Sequence, residues 1–263
     1  MADHARMKTA DHSKMKLGKK PRHYDRRTLR LAKYLTPQLP APPPSVTNSG
    51  SVTSWGMMLN GPNTYGQGVP SAGLGDCTIA GVAHAVQVWT LMKGQEVTVP
   101  DSTVLHYYEQ WDGYNPSNPK SDDGGDELNV LKDWRKQGFS GNPLQAFADP
   151  DPQDELHVKQ AVMLFGGLYI GLQLPISAQT QDVWDVASGP NGQPGSWGGH
   201  AVFVPDYDPQ TLTCITWGQL KKMTWAFFGT YCDEAHALLS PDMKPPAGFD
   251  MAALLADLKK VVS

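Results

Sequence analysis

The sequence predicts an α+β fold in which a helical half precedes a half made mainly of β-strands. In the first half, apolar residues recur at the three- and four-residue spacing of helices, in segments that begin near Cys77, Asp101 and Leu128. In the second half, most segments are short, rich in β-branched and aromatic residues and separated by turns. Because helices and strands separate along the chain, we expect two lobes of different class with a cleft between them.

Composition limits the class of protein. The chain has 263 residues, 40% of them hydrophobic and 18% charged, which suits one large domain or two lobes. No run approaches the ~18 apolar residues of a membrane helix, and the polar N-terminus lacks the apolar core of a secretory signal. Three cysteines do not make a disulfide framework. We therefore expect a cytoplasmic or particle-associated protein without membrane contact or cofactor.

Charge is concentrated at the N-terminus. Residues 1–35 hold 11 Lys/Arg and 3 Asp/Glu, although the whole chain has a net charge of −4. Arg26–Leu35 is predicted as a short basic helix, and the proline-rich segment Leu39–Ser45 as a stiff linker. The chain thus divides into a basic arm with linker, 1–45, and a body, 46–263. The arm is expected to bind an acidic partner surface, nucleic acid or the protein's own acidic body; no base-reading motif is present.

The helical lobe is predicted over about 70–140. Its helices run from Cys77 to Gly94, from Asp101 or Ser102 through Trp111, and from Leu128 to Gly138. Three aspartates precede the last of these helices, at positions 122, 123 and 126. Their spacing is not that of an EF-hand loop, so a turn and a helix cap are predicted there rather than a metal site.

The β lobe is predicted over about 141–240, and a closing helix over 250–262. The lobe begins with a helix, Gln153–Phe165. The predicted strands are Leu168–Leu174, His200–Val204, Thr211–Trp217 and Met223–Cys232. A disulfide between Cys214 and Cys232 is not expected, because their hairpin register does not align them.

Cys77 is the candidate nucleophile. Gly73-Leu-Gly-Asp76-Cys77 brings it to the first turn of an apolar helix, with Asp76 as the predicted N-cap whose carboxylate accepts from the first-turn N–H groups. The positive end of the helix dipole favours the thiolate form of such a cysteine, whereas an aspartate not engaged in capping raises its pKa. The alternative is a buried structural cysteine.

A cysteine nucleophile requires a base, usually a histidine. His84 lies two turns along the helix of Cys77, too far to reach the thiol. His200 follows the glycine-rich Gly195-Ser-Trp-Gly-Gly199 and opens an apolar strand, so it is positioned to face a cleft. We predict His200 as the base.

At this point the chain resembles the papain-like cysteine peptidases. The order of elements is that of the family: a cysteine on a helix, a histidine on a later strand, then Trp-Gly. Gly199-His200-Ala-Val-Phe-Val-Pro-Asp-Tyr207 is similar to the His-Ala-Val segment of the family, Val158–Leu174 to the helix and strand before that histidine, and Ile215-Thr-Trp-Gly218 to Asn-Ser-Trp-Gly. The resemblance covers roughly 70–240 and implies a papain-like two-lobe fold.

The resemblance also implies roles for individual residues. Cys77 would attack an amide carbonyl as a thiolate, His200 would protonate the leaving amine, and the Cys77 backbone N–H would be one oxyanion donor. The oxyanion glutamine of the family falls at Ser71; Gln67 is a candidate substitute.

The histidine-orienting asparagine of the family falls at Ile215, which cannot hydrogen-bond an imidazole. Thr216 and Gln219 are candidates in its place, although strand alternation is expected to turn Thr216 to the opposite face. We expect either a thiol hydrolase acting on peptide or protein substrates, with the arm as a mask or tether, or a silent papain-like module used for binding or assembly. A Cys-His cell-wall amidase is a third reading.

Overall fold

A computed structural model of the protein describes residues 11–50, 52, 54–56, 73–244 and 246–262. Its helices are α1 (Cys77–Met92), α2 (Asp101–Trp111), α3 (Glu127–Gln137), α4 (Glu155–Phe165), α5 (Trp225–Tyr231) and α6 (Met251–Val262). Its strands are β1 (Val46–Thr47), β2 (Ala146–Ala148), β3 (Leu168–Leu174), β4 (Val183–Trp184), β5 (Gly198–Tyr207), β6 (Thr211–Thr216), β7 (Gln219–Thr224) and β8 (Cys232–Leu239). The predicted α+β class, with helices first and an antiparallel sheet after them, is confirmed.

One sheet organises the second half of the chain. Its strand order is β2-β8-β3-β5-β6-β7-β4, with β1 paired to β5, and its pairs are antiparallel except for β4 with β7. Side chains alternate between its faces. On β5, Ala201 and Phe203 pack with α1, α2 and α3, whereas Val202 and Val204 pack with α4, α5 and α6. The sheet therefore separates two hydrophobic cores.

Helix α1 is enclosed by the sheet and the other helices, and every residue from Cys77 to Trp89 is buried. Gly81 allows its close approach to β3, because a Cβ there would lie 2.5 Å from the Tyr169 ring. The Tyr169 hydroxyl donates to the Thr78 carbonyl oxygen at 2.9 Å. These contacts fix the start of α1, and with it Cys77, against the sheet.

The described part of the arm packs into the body. Leu29, Leu31 and Tyr34 are buried in the core on the α4 side of the sheet. The Leu31 N–H donates to the Asp149 carbonyl oxygen at 2.9 Å, and the Asp149 N–H donates to Leu29 at 2.8 Å. The helix predicted for Arg26–Leu35 is wrong in extent: a single 3₁₀ turn, Leu31–Tyr34, forms there.

The segment Met223–Cys232 is another correction, since the predicted strand is interrupted by α5. The Thr224 hydroxyl oxygen accepts from the Phe227 N–H at 3.0 Å and caps this helix. Cys77, Cys214 and Cys232 are all free and buried. Among the described residues, no helix combines the length and apolar character needed to cross a bilayer.

Candidate active site

The tertiary structure brings Cys77 to the strand that carries His200. Cys77 is the first residue of α1, and its sulfur accepts a hydrogen bond from the Ala201 N–H at 3.4 Å, across 124 positions of sequence. Ala201 directly follows His200 on β5. Cys77 therefore lies beside the strand that carries His200, next to the residue that follows the histidine.

Asp76 occupies the N-cap position of α1, but the predicted capping hydrogen bond is wrong. Its side chain makes no hydrogen bond to the first turn; its backbone carbonyl oxygen accepts instead from Ile79 and Ala80, each at 2.9 Å. The Asp76 backbone has φ −94° and ψ 19°, outside the extended conformation that is typical of N-cap residues. The Asp76 side chain is buried beside Cys77.

The thiol of Cys77 is neutral in this arrangement. Burial raises its pKa to about 12, and the negative charges of Asp76 and Glu127 act in the same direction. Hydrogen bonds from the Ala201 and Gly18 amides oppose these effects without outweighing them. The thiolate that the helix dipole was expected to favour is therefore not the resting state.

His200 is held by a hydroxyl and an indole. Its Nε2 lies 2.7 Å from Oγ1 of Thr216, and its ring stacks on Trp217 with centroids 4.8 Å apart and 18° between planes. Its Nδ1 has no hydrogen-bond partner among the described residues. Burial lowers the pKa of His200 to about 3, with a further contribution from His12, so the imidazole is neutral.

Thr216 lies on the face of the sheet opposite Ile215, as strand alternation predicted, but His200 lies on that same face. Ala201 and Ile215 face the helices around α1, so His200 and Thr216, each one position away, share the opposite face of the sheet. Gln219, the other candidate, does not contact His200: its amide nitrogen lies 3.0 Å from Nε2 of His12 in the arm. Gln67 lies outside the described residues.

The basic arm passes directly over the Cys77 sulfur, which accepts a hydrogen bond from the Gly18 N–H. The Gly18 carbonyl oxygen accepts from Gly125 at 2.8 Å, and the Lys20 N–H donates back to the Gly125 carbonyl at 2.8 Å. On the other side, the Lys19 N–H donates to the Gly199 carbonyl at 3.0 Å. Residues 18–20 are therefore held like a strand, parallel to Gly125, between the two lobes.

Glycines provide the space for this segment. A Cβ on Gly18 would lie 1.8 Å from the Gly75 carbonyl oxygen, one on Gly124 would lie 1.9 Å from the Gly18 oxygen, and one on Gly199 would lie 2.3 Å from the Lys19 oxygen. Sequence reasoning missed this function of the glycines. In the sequence alone, these glycines are equally well explained as turn residues. Their role becomes visible only in the fold, where four distant segments meet.

An acidic group beside the arm was also missed. Glu127, Glu234 and His236 each offer a ligand atom, and these atoms lie within 4.8 Å of one another, the spacing of a metal site. The Lys19 ammonium group lies among them, 2.8 Å from Glu234. The carboxylates therefore hold a cationic side chain in this structure.

The fold is similar to that of solved cysteine proteases. Xylellain, a cysteine protease from Xylella fastidiosa, has a TM-score of 0.62 at 13% identity, covering 88% of this chain and 96% of xylellain. Digestive procathepsin L 3 of Tenebrio molitor has a TM-score of 0.55 at 14% identity, covering 82% and 75% of the two chains.

A third structure contains the cysteine protease and lectin-like domains of Cwp84 from Clostridium difficile. Its TM-score is 0.51 at 10% identity, covering 83% of this chain and 57% of that one. No family model and no curated protein sequence matches the chain. The likeness is one of three-dimensional structure, and it shows that this chain has the fold of the papain-like cysteine proteases.

Proposed function

We propose that the protein is a thiol hydrolase that cleaves peptide or amide bonds through Cys77 and His200. One observation carries the proposal: the Cys77 sulfur lies beside the strand of His200 and in contact with an extended peptide segment, residues 18–20 of the same chain. A site that binds an extended backbone next to a thiol has the arrangement that amide cleavage requires.

The chemistry uses the two nitrogens of His200 differently. In the proposed reactive tautomer, Nε2–H of His200 donates to the Thr216 hydroxyl oxygen, and the unprotonated Nδ1 takes the thiol proton. The thiolate attacks the carbonyl carbon, the imidazolium protonates the leaving amine, and water then hydrolyses the acyl-enzyme. The Cys77 N–H at the start of α1 donates to the oxyanion, and Gln67 is the candidate second donor.

The arm masks this site in the proposed mechanism. The group of the arm that contacts the sulfur is the Gly18 amide N–H, whereas a thiolate attacks a carbonyl carbon. With the arm docked, Cys77 and His200 are buried, which keeps both groups neutral. Release of the arm hydrates the thiol and lowers its pKa.

The test releases the arm without shortening the chain. Lys19→Glu introduces a buried carboxylate among Asp233, Glu234 and Glu127, whereas Lys20→Glu, at a partly exposed position, is the matched control. We expect iodoacetamide to label Cys77 slowly in the wild type, with a rate that rises with pH towards about 12. In Lys19→Glu, Cys77 should label faster than Cys214 and Cys232 at neutral pH.

Hydrolysis is then measured with Lys19→Glu on a panel of peptides and cell-wall fragments. Cleavage that disappears in Lys19→Glu/Cys77→Ser supports the thiol hydrolase, and the substrate cleaved separates peptidase from amidase. Rapid labelling of Cys77 without cleavage of any substrate would contradict the proposal.

A silent binding module is the second candidate, and Asp76 favours it. A buried carboxylate adjacent to the nucleophile disfavours the thiolate, and it is not engaged in capping. In that case Asp76→Asn would not produce hydrolysis in the arm-released chain, and Cys77→Ala would leave the biological activity unchanged.

A further inference from the structure

The side chain of Lys19 occupies a closed pocket next to the candidate active site. The side chain is fully buried, and its ammonium group lies 2.8 Å from a carboxylate oxygen of Glu234 and 3.0 Å from one of Asp233. It also donates to the Lys20 carbonyl oxygen at 3.2 Å. Gly171 on β3 forms one wall, where a Cβ would lie 1.9 Å from Cε of Lys19. The pocket therefore fits a long, unbranched side chain that ends in a cation.

The pocket contains a further acid, Glu127. Glu127 is 1% exposed, and neither of its carboxylate oxygens has a hydrogen-bond partner among the described residues. Its nearest charged neighbour in ionic contact is Nε2 of His236, at 3.9 Å. Burial alone would lower the pKa of Lys19, but Glu127, Glu234 and Asp233 outweigh it and raise that pKa. The pocket thus stabilises a positive charge that water does not reach.

The backbone contacts of Lys19 relate this pocket to substrate binding. Gly125 and Gly199 hold the arm through their own backbone N–H and carbonyl groups, which are available to any extended peptide. A substrate held by the same groups beside Cys77 would direct one side chain to the position that Lys19 now occupies. The acids at that position would then decide which side chain is accepted.

We propose that Glu127, Asp233, Glu234 and Gly171 form the specificity pocket of the enzyme, and that this pocket selects a lysine side chain of the substrate. The proposal rests on the proposed function, because it assumes that peptides bind where the arm binds. It assigns the arm a second property: Lys19 imitates the substrate side chain and competes for its pocket.

The experiment measures binding, not cleavage. A blocked peptide that copies residues 15–21 is added to Lys19→Glu, and protection of Cys77 from iodoacetamide is measured by mass mapping. The matched peptide carries norleucine in place of the lysine equivalent to Lys19. Because truncating one partner of a buried charge pair weakens binding strongly, we expect the norleucine peptide to protect with about 30-fold lower affinity.

Variants of the pocket test whether its acidic residues cause the preference for the lysine peptide over the norleucine peptide. Glu234→Gln, combined with Lys19→Glu, should abolish the difference between the lysine and norleucine peptides. Glu155→Gln in the same background is the control, since Glu155 is an exposed residue that, among the described residues, forms an ion pair only with Lys159 on its own helix. Equal protection by the two peptides, or a lysine preference that survives Glu234→Gln, would overturn the pocket.

A second measurement applies if Lys19→Glu does not fold. In Lys19→Met, whose side chain keeps much of the length but loses the charge, hydrogen exchange at the Gly18 and Lys20 amides should be at least about tenfold faster than in the wild type, because arm release becomes easier. Unchanged exchange would also reject the proposal.

Lysine-selective protection without hydrolysis of any peptide contradicts only the hydrolase, whereas hydrolysis without lysine preference contradicts only the pocket.

Discussion

At the residue scale, Thr216 contacts His200 in place of an asparagine. The resemblance to papain-like peptidases puts Ile215 at the position of that asparagine, and Ile215 cannot hydrogen-bond an imidazole. A carboxamide oxygen only accepts hydrogen bonds, so it fixes the proton of an imidazole on the nitrogen that faces it. A hydroxyl donates or accepts, so Thr216 holds the His200 ring at 2.7 Å without fixing its tautomer. The Trp217 stack contributes to ring orientation from the side. The position of the His200 ring is thus determined by Thr216 and Trp217, whereas the nitrogen that carries its proton is not.

The hydrogen bond between Thr216 and His200 gives a prediction for the chain in which the arm is released. In a Lys19→Glu background, Thr216→Val should slow Cys77 alkylation at neutral pH by roughly fivefold, because a buried imidazole nitrogen loses a hydrogen bond of about 1 kcal/mol. Thr216→Ser in the same background should alkylate at the rate of the Lys19→Glu parent. The pH profile of alkylation is the measurement. A Thr216→Val profile that overlays that of Thr216→Ser would show that the hydroxyl does not position His200.

At the element scale, the close approach of α1 to β3 determines where Cys77 lies. A Cβ added at Gly81 would lie 2.5 Å from the Tyr169 ring, and the Tyr169 hydroxyl anchors the first turn of α1 through the Thr78 carbonyl oxygen. The helix is apolar on every side, so its sequence pattern does not indicate which face meets the sheet. The glycine indicates that face only when its partner strand is known.

Gly81→Ala should therefore destabilise the protein although alanine favours helices. The added methyl group overlaps the Tyr169 ring, and such overpacking costs about 1–3 kcal/mol of unfolding free energy. Gly229→Ala, in α5 where no atom lies within 4 Å of the new Cβ, is the matched control and should be neutral or stabilising. Urea unfolding of the two variants checks the prediction; equal stabilities would mean that α1 does not contact β3 as described.

At the scale of the whole molecule, buried histidines determine how stability depends on pH. Burial would lower the pKa of His236, but Asp149 and Glu234 outweigh it and raise that pKa to about 10. Burial lowers the pKa of His84 to about 4 and that of His200 to about 3. The stabilisation from charged His236 is complete below an unfolded pKa of about 6.5 and is lost as pH rises towards 10.

The other two histidines act in the opposite direction. Unfolded His84 and His200 take up protons below about pH 6.5 that the folded protein excludes, so stability falls as pH decreases towards 4. We therefore expect maximal thermal stability near pH 6.5. In His236→Gln the alkaline decline between pH 6.5 and 10 should flatten while the acid decline remains. A wild-type stability that keeps rising from pH 7 to 9 would contradict this assignment.

The sequence was sufficient to predict most elements and to select Cys77 and His200 as the candidate residues. Helices α1 and α6 and strand β3 lie where periodicity and breakers predicted them, because each is a regular local pattern ended by glycine or a turn. Strand pattern alone missed α5, because a capping threonine inside an apolar run was not distinguished from a strand residue. Cys77 and His200 were selected because helix starts and strand starts present side chains at surfaces between elements.

The environment of those residues depends on the packing of distant segments. Sequence separated a basic arm from an acidic body, but it did not show that Gly18 contacts the Cys77 sulfur or that Lys19 is buried among the acids of β8 and α3. Likewise, Thr216 faces His200 because of which face of β5 the histidine occupies. Local patterns determine elements through backbone geometry and burial of apolar side chains. Contacts between distant segments depend on how those elements pack, and the neutral, covered state of Cys77 follows from that packing.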